Sequence, residues 1–354
     1  SYWLRNASSE IETLDGNRKT SGSITLVNGG KVDVKGKKNY GAVANGEKYD
    51  KYVKKSANAY PIAESTEKGM KIDLETGAVS EGQVDVVGKI DINSGAEITV
   101  EGEQSIGYVM LSGTGNNAGT ISVTGHTNNK VNTANFEGSL GFYGQKGTFW
   151  NTGNGIISAS GNVAHAVVVK TSDMTFNNAG KITVDSPDTT PGNIGIYSDG
   201  DAVVNIGKNS TLEIKDNSVG LYSADAAKFN DTFVNKGKMN VSLGKKSTFA
   251  YLDGDSKAVS VNMGNFLNNG TNGINLTAMG ESSSLVYARN AAKAILNEDF
   301  NITNGGANST IALLGSDSAE VNILSGKTLN TNTNVALAAV KGSVAKNEGS
   351  IIST

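Results

Sequence analysis

Cysteine is absent from the 354 residues, proline occurs 3 times and histidine 2 times. Without thiols there is no disulfide framework, no thiolate nucleophile and no cysteine-bearing zinc site. His126 and His165 lie far apart with no ligand spacing around them, so no metal and no cofactor is expected. Arginine is scarce too, with Arg5, Arg18 and Arg289 the whole complement, which poorly supplies any clamp for carboxylates or phosphates. No apolar run reaches the roughly 18 residues of a membrane span. Ser1-Tyr2-Trp3-Leu4-Arg5 lacks the basic-then-apolar order of a secretory leader. Neither sign of charge dominates: 31 Lys+Arg against 34 Asp+Glu leave a net charge of -3, which nominates neither nucleic acid nor an anionic membrane as partner.

Glycine (44) and asparagine (41) are abundant, and apolar residues make up 37%, below the roughly 45–50% of globular domains. The apolar residues recur in short Val/Ile/Leu runs, so the chain folds around a thin core. Self-similarity explains how. An apolar residue, then Asn, one or two spacers, Gly and an aliphatic residue recur as Phe149-Trp150-Asn151-Thr152-Gly153, Phe176-Asn177-Asn178-Ala179-Gly180-Lys181-Ile182 and Phe233-Val234-Asn235-Lys236-Gly237-Lys238-Met239. Aligned, the marker falls at Asn28, Asn93, Asn117, Asn151, Asn178, Asn205, Asn235, Asn268, Asn297, Asn322 and Asn347. The steps are 24 to 34 residues, apart from one of 65 that reads as two periods plus an insertion.

Each period carries about three short strands, such as Thr211-Leu212-Glu213-Ile214 and Val219-Gly220-Leu221, with β-branched bias and period-2 alternation. Strands this short, repeated this often, build coils in which each strand pairs in parallel with its equivalent one period on. The expected fold is all-β: a parallel β-helix of about twelve coils over residues 22–354, preceded by an N-terminal segment or incomplete coil at 1–21, with insertions near 47–69 and 126–138. Asn tolerates a left-handed corner and can form an amide ladder, and the following Gly supplies a second corner with positive φ. The last residues, Asn347-Glu348-Gly349-Ser350-Ile351-Ile352, read as the start of a further unit, so the chain is expected to be a fragment.

The marker followed by Gly195-Ile196-Tyr197 or Gly220-Leu221-Tyr222 resembles the passenger repeats of type V autotransporters, most of all the large fusobacterial surface adhesins. The resemblance implies a right-handed helix, export through a C-terminal β-barrel outside this chain, and display at the bacterial outer membrane. It also implies adhesion to a host-cell receptor, protein or glycan, or to a partner bacterium.

Solenoids carry function on segments that leave the coil. The interruption from Glu47 to Gly69 holds Tyr49, Tyr52, Lys54, Lys55 and Tyr60, a tyrosine and lysine composition suited to a recognition surface. The alternative is that Tyr49, Tyr52 and Val53 simply cap the apolar side of the rod. His126 and Phe136 decorate a second excursion. Tyr143, Tyr197 and Tyr222 each follow an inward residue and should form an outward row, either stacking against sugar rings or shielding the sheet.

Catalysis has little to build on. The acids Asp85, Asp91 and Glu97 alternate with apolar residues as solvent-facing strand positions do. Gly254-Asp255-Ser256 matches only half of a serine-protease nucleophile element, since Lys257 replaces its final glycine. The expectation is a non-enzymatic adhesin segment. The alternatives are a carbohydrate-active β-helix enzyme and a stalk whose binding site lies elsewhere.

Overall fold

The computed structural model describes residues 23–45, 89–129, 138–187 and 192–354, together with the backbone of short strands at 4–6, 11–12, 18–19, 68–72 and 79–83. The chain is a parallel β-helix. Its longest sheet has eleven strands, one per rung: Leu4–Asn6, Tyr40–Asn45, Ile106–Ser112, Ser139–Gly144, Ala164–Val169, Ile194–Ser198, Val219–Ser223, Thr248–Asp253, Ser284–Arg289, Ile311–Gly315 and Val335–Ala339. An eight-stranded sheet runs from Lys31–Val34 to Ile274–Met279, and a seven-stranded one from Ser23–Leu26 to Phe233–Asn235. Every neighbouring pair in these sheets is parallel, with residues about one period apart in register, as in Ile182↔Leu212 and Leu212↔Val241.

Alternation along each strand decides what is buried. In Lys181–Val184 and Thr211–Ile214 the second and fourth residues are buried and the first and third reach solvent, as a two-residue side-chain repeat requires. The inward residues stack into columns. One column of the long sheet reads Ala42, Tyr108, Phe142, Val167, Ile196, Leu221, Ala250, Val286 and Leu313, all buried. Tyr108, Phe142, Phe149 and Phe176 pack as neighbours with centroids 4.3–5.6 Å apart. The Tyr108 hydroxyl donates to the Ile90 carbonyl at 3.2 Å, which satisfies a polar group in the core. Gly115 makes room for it, because a Cβ there would overlap that hydroxyl.

The asparagine marker is partly a ladder and partly a coincidence of spacing. Asn117, Asn151 and Asn178 occupy one buried column, and each Nδ2 of the first two donates to the next Oδ1, at 2.9 and 2.8 Å. Asn235 shares the column, but Ile206 lies between it and Asn178. Asn205 sits one residue early and points outward, whereas Asn93 follows Ile92, the true column member. None of the marker asparagines has positive φ. Left-handed corners are taken by Asn209, Asn217 and Asn290, among others. Gly119 and Gly180 are required by contact between rungs, since a Cβ at Gly180 would overlap the Thr152 and Gly155 carbonyl oxygens.

The 65-residue step is one period with a long insertion. Ile24 pairs directly with Ile90 and Leu26 with Ile92. Between Asn45 and Lys89, strands Lys68–Ile72 and Val79–Gln83 pair antiparallel with each other. Further along, a 3-10 turn at Ala226–Lys228 runs into a short helix at Phe229–Thr232, and a second 3-10 turn spans Met263–Asn265. Here the seven-stranded sheet ends and a four-stranded one begins at Val259–Asn262. The chain leaves the coil here without opening the core, because Phe229, Phe233, Phe249 and Phe266 fill the extra width with centroids 4.9–6.0 Å apart.

Candidate functional site

The three faces of the rod differ in chemistry. Outward positions of the eight-stranded sheet carry Lys, Glu, Thr, Ser and Asn, with ions paired between rungs: Lys31 with Glu97 at 3.0 Å, Lys181 with Glu213 at 2.6 Å, and Lys245 with Glu281 at 3.2 Å at the corner beyond it. These are largely exposed pairs, whose attraction solvent screens. On the seven-stranded sheet, Lys89 pairs with Asp91, which accepts from Asn116, and Asn205 donates to Asn177.

The outer face of the eleven-stranded sheet is different. One outward column runs Val43, Val109, Tyr143, Val168, Tyr197, Tyr222, Tyr251, Tyr287, Leu314 and Ala338, each in register with the next. The second begins Tyr40, Ile106, Leu140 and His165, and continues through Ile194, Val219, Thr248, Ser284, Ile311 and Val335. From Val43 and Tyr40 onward neither column holds a carboxylate, lysine or arginine, and Arg5 precedes Val43 in register. Val109, Leu140 and Val168 are buried within the face, and the partly exposed members between and beside them form a continuous apolar strip, which marks a contact site more often than scattered single residues do.

Four tyrosines form the centre of this face. Tyr197, Tyr222, Tyr251 and Tyr287 follow one another with centroids 5.5, 5.2 and 5.2 Å apart and interplanar angles of 62°, 84° and 89°. Register places equivalent side chains one rung apart, and rings at that spacing favour edge-to-face contact. Each ring face is therefore largely used by its neighbour, and the Tyr197 face is also approached by Lys170, 5.1 Å from the centroid. That geometry favours the shielding ladder over sugar stacking, and leaves rims and hydroxyls for contact. Burial pushes the Tyr222 phenol up to about 12, with the nearby Asp253 carboxylate adding to the effect. Tyr197 and Tyr251 are raised for the same first reason.

Tyr143, Tyr197 and Tyr222 do lie in one outward column, but Val168 separates Tyr143 from the others. Tyr251 and Tyr287 complete the row. Their signal was present in Phe249-Ala250-Tyr251 and Leu285-Val286-Tyr287, which repeat the pattern without its glycine.

One edge of the tyrosine row is charged. Arg289 Nη1 donates to the Tyr251 hydroxyl at 3.1 Å, and its Nε lies 3.6 Å from Asp317 and 4.0 Å from Asp253. Asp199 accepts from the backbone N–H of Thr171 and of Asp201. On the other column, burial holds the His165 imidazole down to about 4, and its Nδ1 accepts the Ile194 N–H at 3.1 Å.

Tyr49, Tyr52, Lys54, Lys55 and Tyr60 lie outside the described residues, as does Phe136. His126 uses Nδ1 to accept the Asn128 N–H within its own turn. Asp255 and Ser256 form a left-handed corner, with φ of 48° and 63°. An open depression of about 300 Å³ is lined by Asp185, Glu213, Lys215 and Asp216. The Lys181 ammonium holds the Glu213 carboxyl below its ordinary range, the reverse of what a general acid needs. Among the described residues no group of three or more His, Asp and Glu is placed to hold a metal ion. No protein-family model matches the chain, and neither a curated protein nor a solved structure matches it.

Proposed function

We propose that this chain is a segment of a bacterial surface adhesin, a rod that presents binding surface to a host-cell receptor or a partner bacterium and performs no chemistry of its own. The observation that carries this reading is the contrast between faces. Paired ions, amides and hydroxyls predominate on two sides of the rod, with Trp150, Val203, Val234 and Ile156 set among them, while from Val43 onward the third is a strip of tyrosine and aliphatic side chains without a carboxylate or ammonium. Tyrosine offers wide amphipathic contact at small entropic cost, and such residues dominate protein contact sites. Outer-membrane display through a C-terminal β-barrel rests on the resemblance of the repeats to autotransporter passengers.

Binding of the purified, labelled chain to epithelial cells, immune cells and partner bacteria tests this. A Tyr197→Ser/Tyr222→Ser/Tyr251→Ser variant is expected to keep the β-sheet circular dichroism and lose most of the binding. Undiminished binding would move the site to the segment holding Tyr49 and Tyr60. No binding by either chain would make this stretch a stalk.

A further inference from the structure

The seven-stranded face carries one large aromatic ring among amides and hydroxyls. Its outward column reads Asp91, Asn116, Trp150, Asn177, Asn205 and Val234, each in register with the next, and Thr148 and Thr175 stand beside it in the parallel column. The tyrosines of the long sheet use their ring faces on one another. The partly exposed Trp150 instead stacks on no other ring and donates its indole N–H to no group among the described residues. The amides around it are held in place. Asn116 donates to Asp91 at 2.8 Å, Asn177 to the Phe149 carbonyl at 3.3 Å and Asn205 to the Asn177 Oδ1 at 2.9 Å. That row leaves the Asn205 Oδ1 and the second N–H of its amide for an incoming group.

The column runs toward a basic corner. The turn at 207–210 holds Lys208, and the turn at 236–238, one rung on, holds Lys236 and Lys238, all three exposed. The two turns touch. The Asn209 N–H donates to the Lys238 carbonyl at 3.0 Å, and a Cβ at Gly237 would lie 2.6 Å from the Lys208 Cα. Lys181, Lys228 and Lys245 each hold a carboxylate, whereas none pairs with Lys208, Lys236 or Lys238 among the described residues. The turns on the rungs to either side, 179–180 and 268–273, contain no acid. Glu213, on the following strand, is held by Lys181 and Thr183. Three positive charges are left together without a counter-charge, a local field that attracts an anion.

We infer that this face binds an acidic oligosaccharide. A pyranose has an apolar C–H face, which packs on an indole, and a rim of hydroxyls, which exchange hydrogen bonds with the Asn205 amide and the Thr148 and Thr175 hydroxyls. A carboxylate or sulfate on the same sugar chain meets the ammonium groups of Lys208, Lys236 and Lys238. The span suits such a ligand. Lys208 lies two rungs beyond Trp150 and three residues past the column, about 10 Å in each direction, within reach of a short sugar chain laid across the sheet. A neutral sugar would leave the lysine corner unused, and a plain polyanion would leave Trp150 and the amide row unused. An acidic sugar uses both. The site lies on a different face from the tyrosine strip and does not rest on the adhesin reading.

The chain has 2 tryptophans, so Trp3→Phe leaves Trp150 as the reporter in a fluorescence titration with oligosaccharides of heparin, hyaluronan and chitin. Heparin or hyaluronan oligosaccharide is expected to change the Trp150 emission, with binding that weakens as salt screens the lysines. A response to heparin alone assigns the acid as sulfate, and a response to hyaluronan shows that carboxylate suffices. By titration calorimetry, Lys208→Gln/Lys236→Gln/Lys238→Gln and, separately, Trp150→Ala should each weaken binding at least tenfold with unchanged circular dichroism. The lysine variant should also flatten the salt dependence. Absence of binding by both acidic sugars overturns the inference. Equally tight binding of chitin oligosaccharide or of polyglutamate does so too, as does binding that leaves the Trp150 emission unchanged. The Tyr197→Ser/Tyr222→Ser/Tyr251→Ser chain should bind the acidic sugar undiminished. Purified sugar and whole cells are separate readouts, so the site and the adhesin role fail independently.

Discussion

Tyr222 and Tyr251, 29 residues apart in sequence, stand on adjacent rungs with ring centroids 5.2 Å apart and planes at 84°. The contact follows from parallel register, which places every residue of one period above its equivalent in the next. The same rule that builds the core therefore builds the outer face. Residues such as Leu221, one position before Tyr222, lie on the inner side of the same strand, and substitutions on the two sides should have opposite consequences.

Leu221 is fully buried between Ile196 and Ala250. Leu221→Asp introduces an unpaired charge into the column, at an expected cost of several kcal/mol, about 3–5 by analogy with orphaned buried ions. Urea unfolding should show a lower midpoint, with Tyr222→Ser as the comparison that lowers it less. An unaltered midpoint for Leu221→Asp would remove this residue from the core.

Asn151 both accepts from Asn117 and donates to Asn178. Asn151→Ala deprives two buried amides of a partner at once, and each orphan costs about 1–3 kcal/mol. Asn205→Ala, on the half-exposed outer side, should cost less than half as much. Equal losses in thermal unfolding would contradict the assignment of the buried ladder.

The Tyr108 hydroxyl and Gly115 share one space. Gly115→Ala alone forces the new methyl against the hydroxyl and should destabilise by about 1–3 kcal/mol, the usual cost of overpacking. Tyr108→Phe alone gives up one buried hydrogen bond, about 1 kcal/mol. The double variant should be more stable than the sum of the two losses implies, a coupling that a double-mutant cycle measures directly. Simple additivity would mean that Ile90 and Phe149, also close to that position, dominate the strain.

Two outer-face groups set opposite pH limits. The folded pKa of His165, about 4, lies below the ordinary imidazole value of 6.5, so the folded state favours the neutral ring. Its contribution is present above pH 6.5 and is lost as pH falls toward 4. Tyr222 is raised from 10.0 to about 12, so its contribution is present below pH 10 and is lost as pH rises through that window. Melting temperature should therefore fall at both ends. His165→Gln should flatten the acid limb, and ultraviolet titration should find the Tyr222 phenol ionising late.

Much of the architecture was readable from spacing. The buried second and fourth residues of Lys181–Val184 and Thr211–Ile214, and the outward placement of Tyr197 and Tyr222, follow from strand alternation and a repeat of about one coil. Asn93 and Asn205 show where reading by spacing slips. Isoleucine fills the same inward corner at 92 and 206, and a slip of one residue turns a side chain to the opposite face. The 65-residue step was misread because length alone does not distinguish an additional rung from an excursion. Only the pairing of Ile24 with Ile90 does.

By itself, then, the sequence determined that the chain would coil, which residues alternate inward, and that no thiol chemistry was available, because composition and period act locally along the strand. Tertiary structure decided which outward residues share a face. Ile194 and Val219 line up beside Tyr197 and Tyr222, and Asp199 and Arg289 lie on one edge, although 90 residues separate these last two. Register between rungs is a non-local property, set by where each insertion leaves and rejoins the coil. The apolar strip exists only once that register is made.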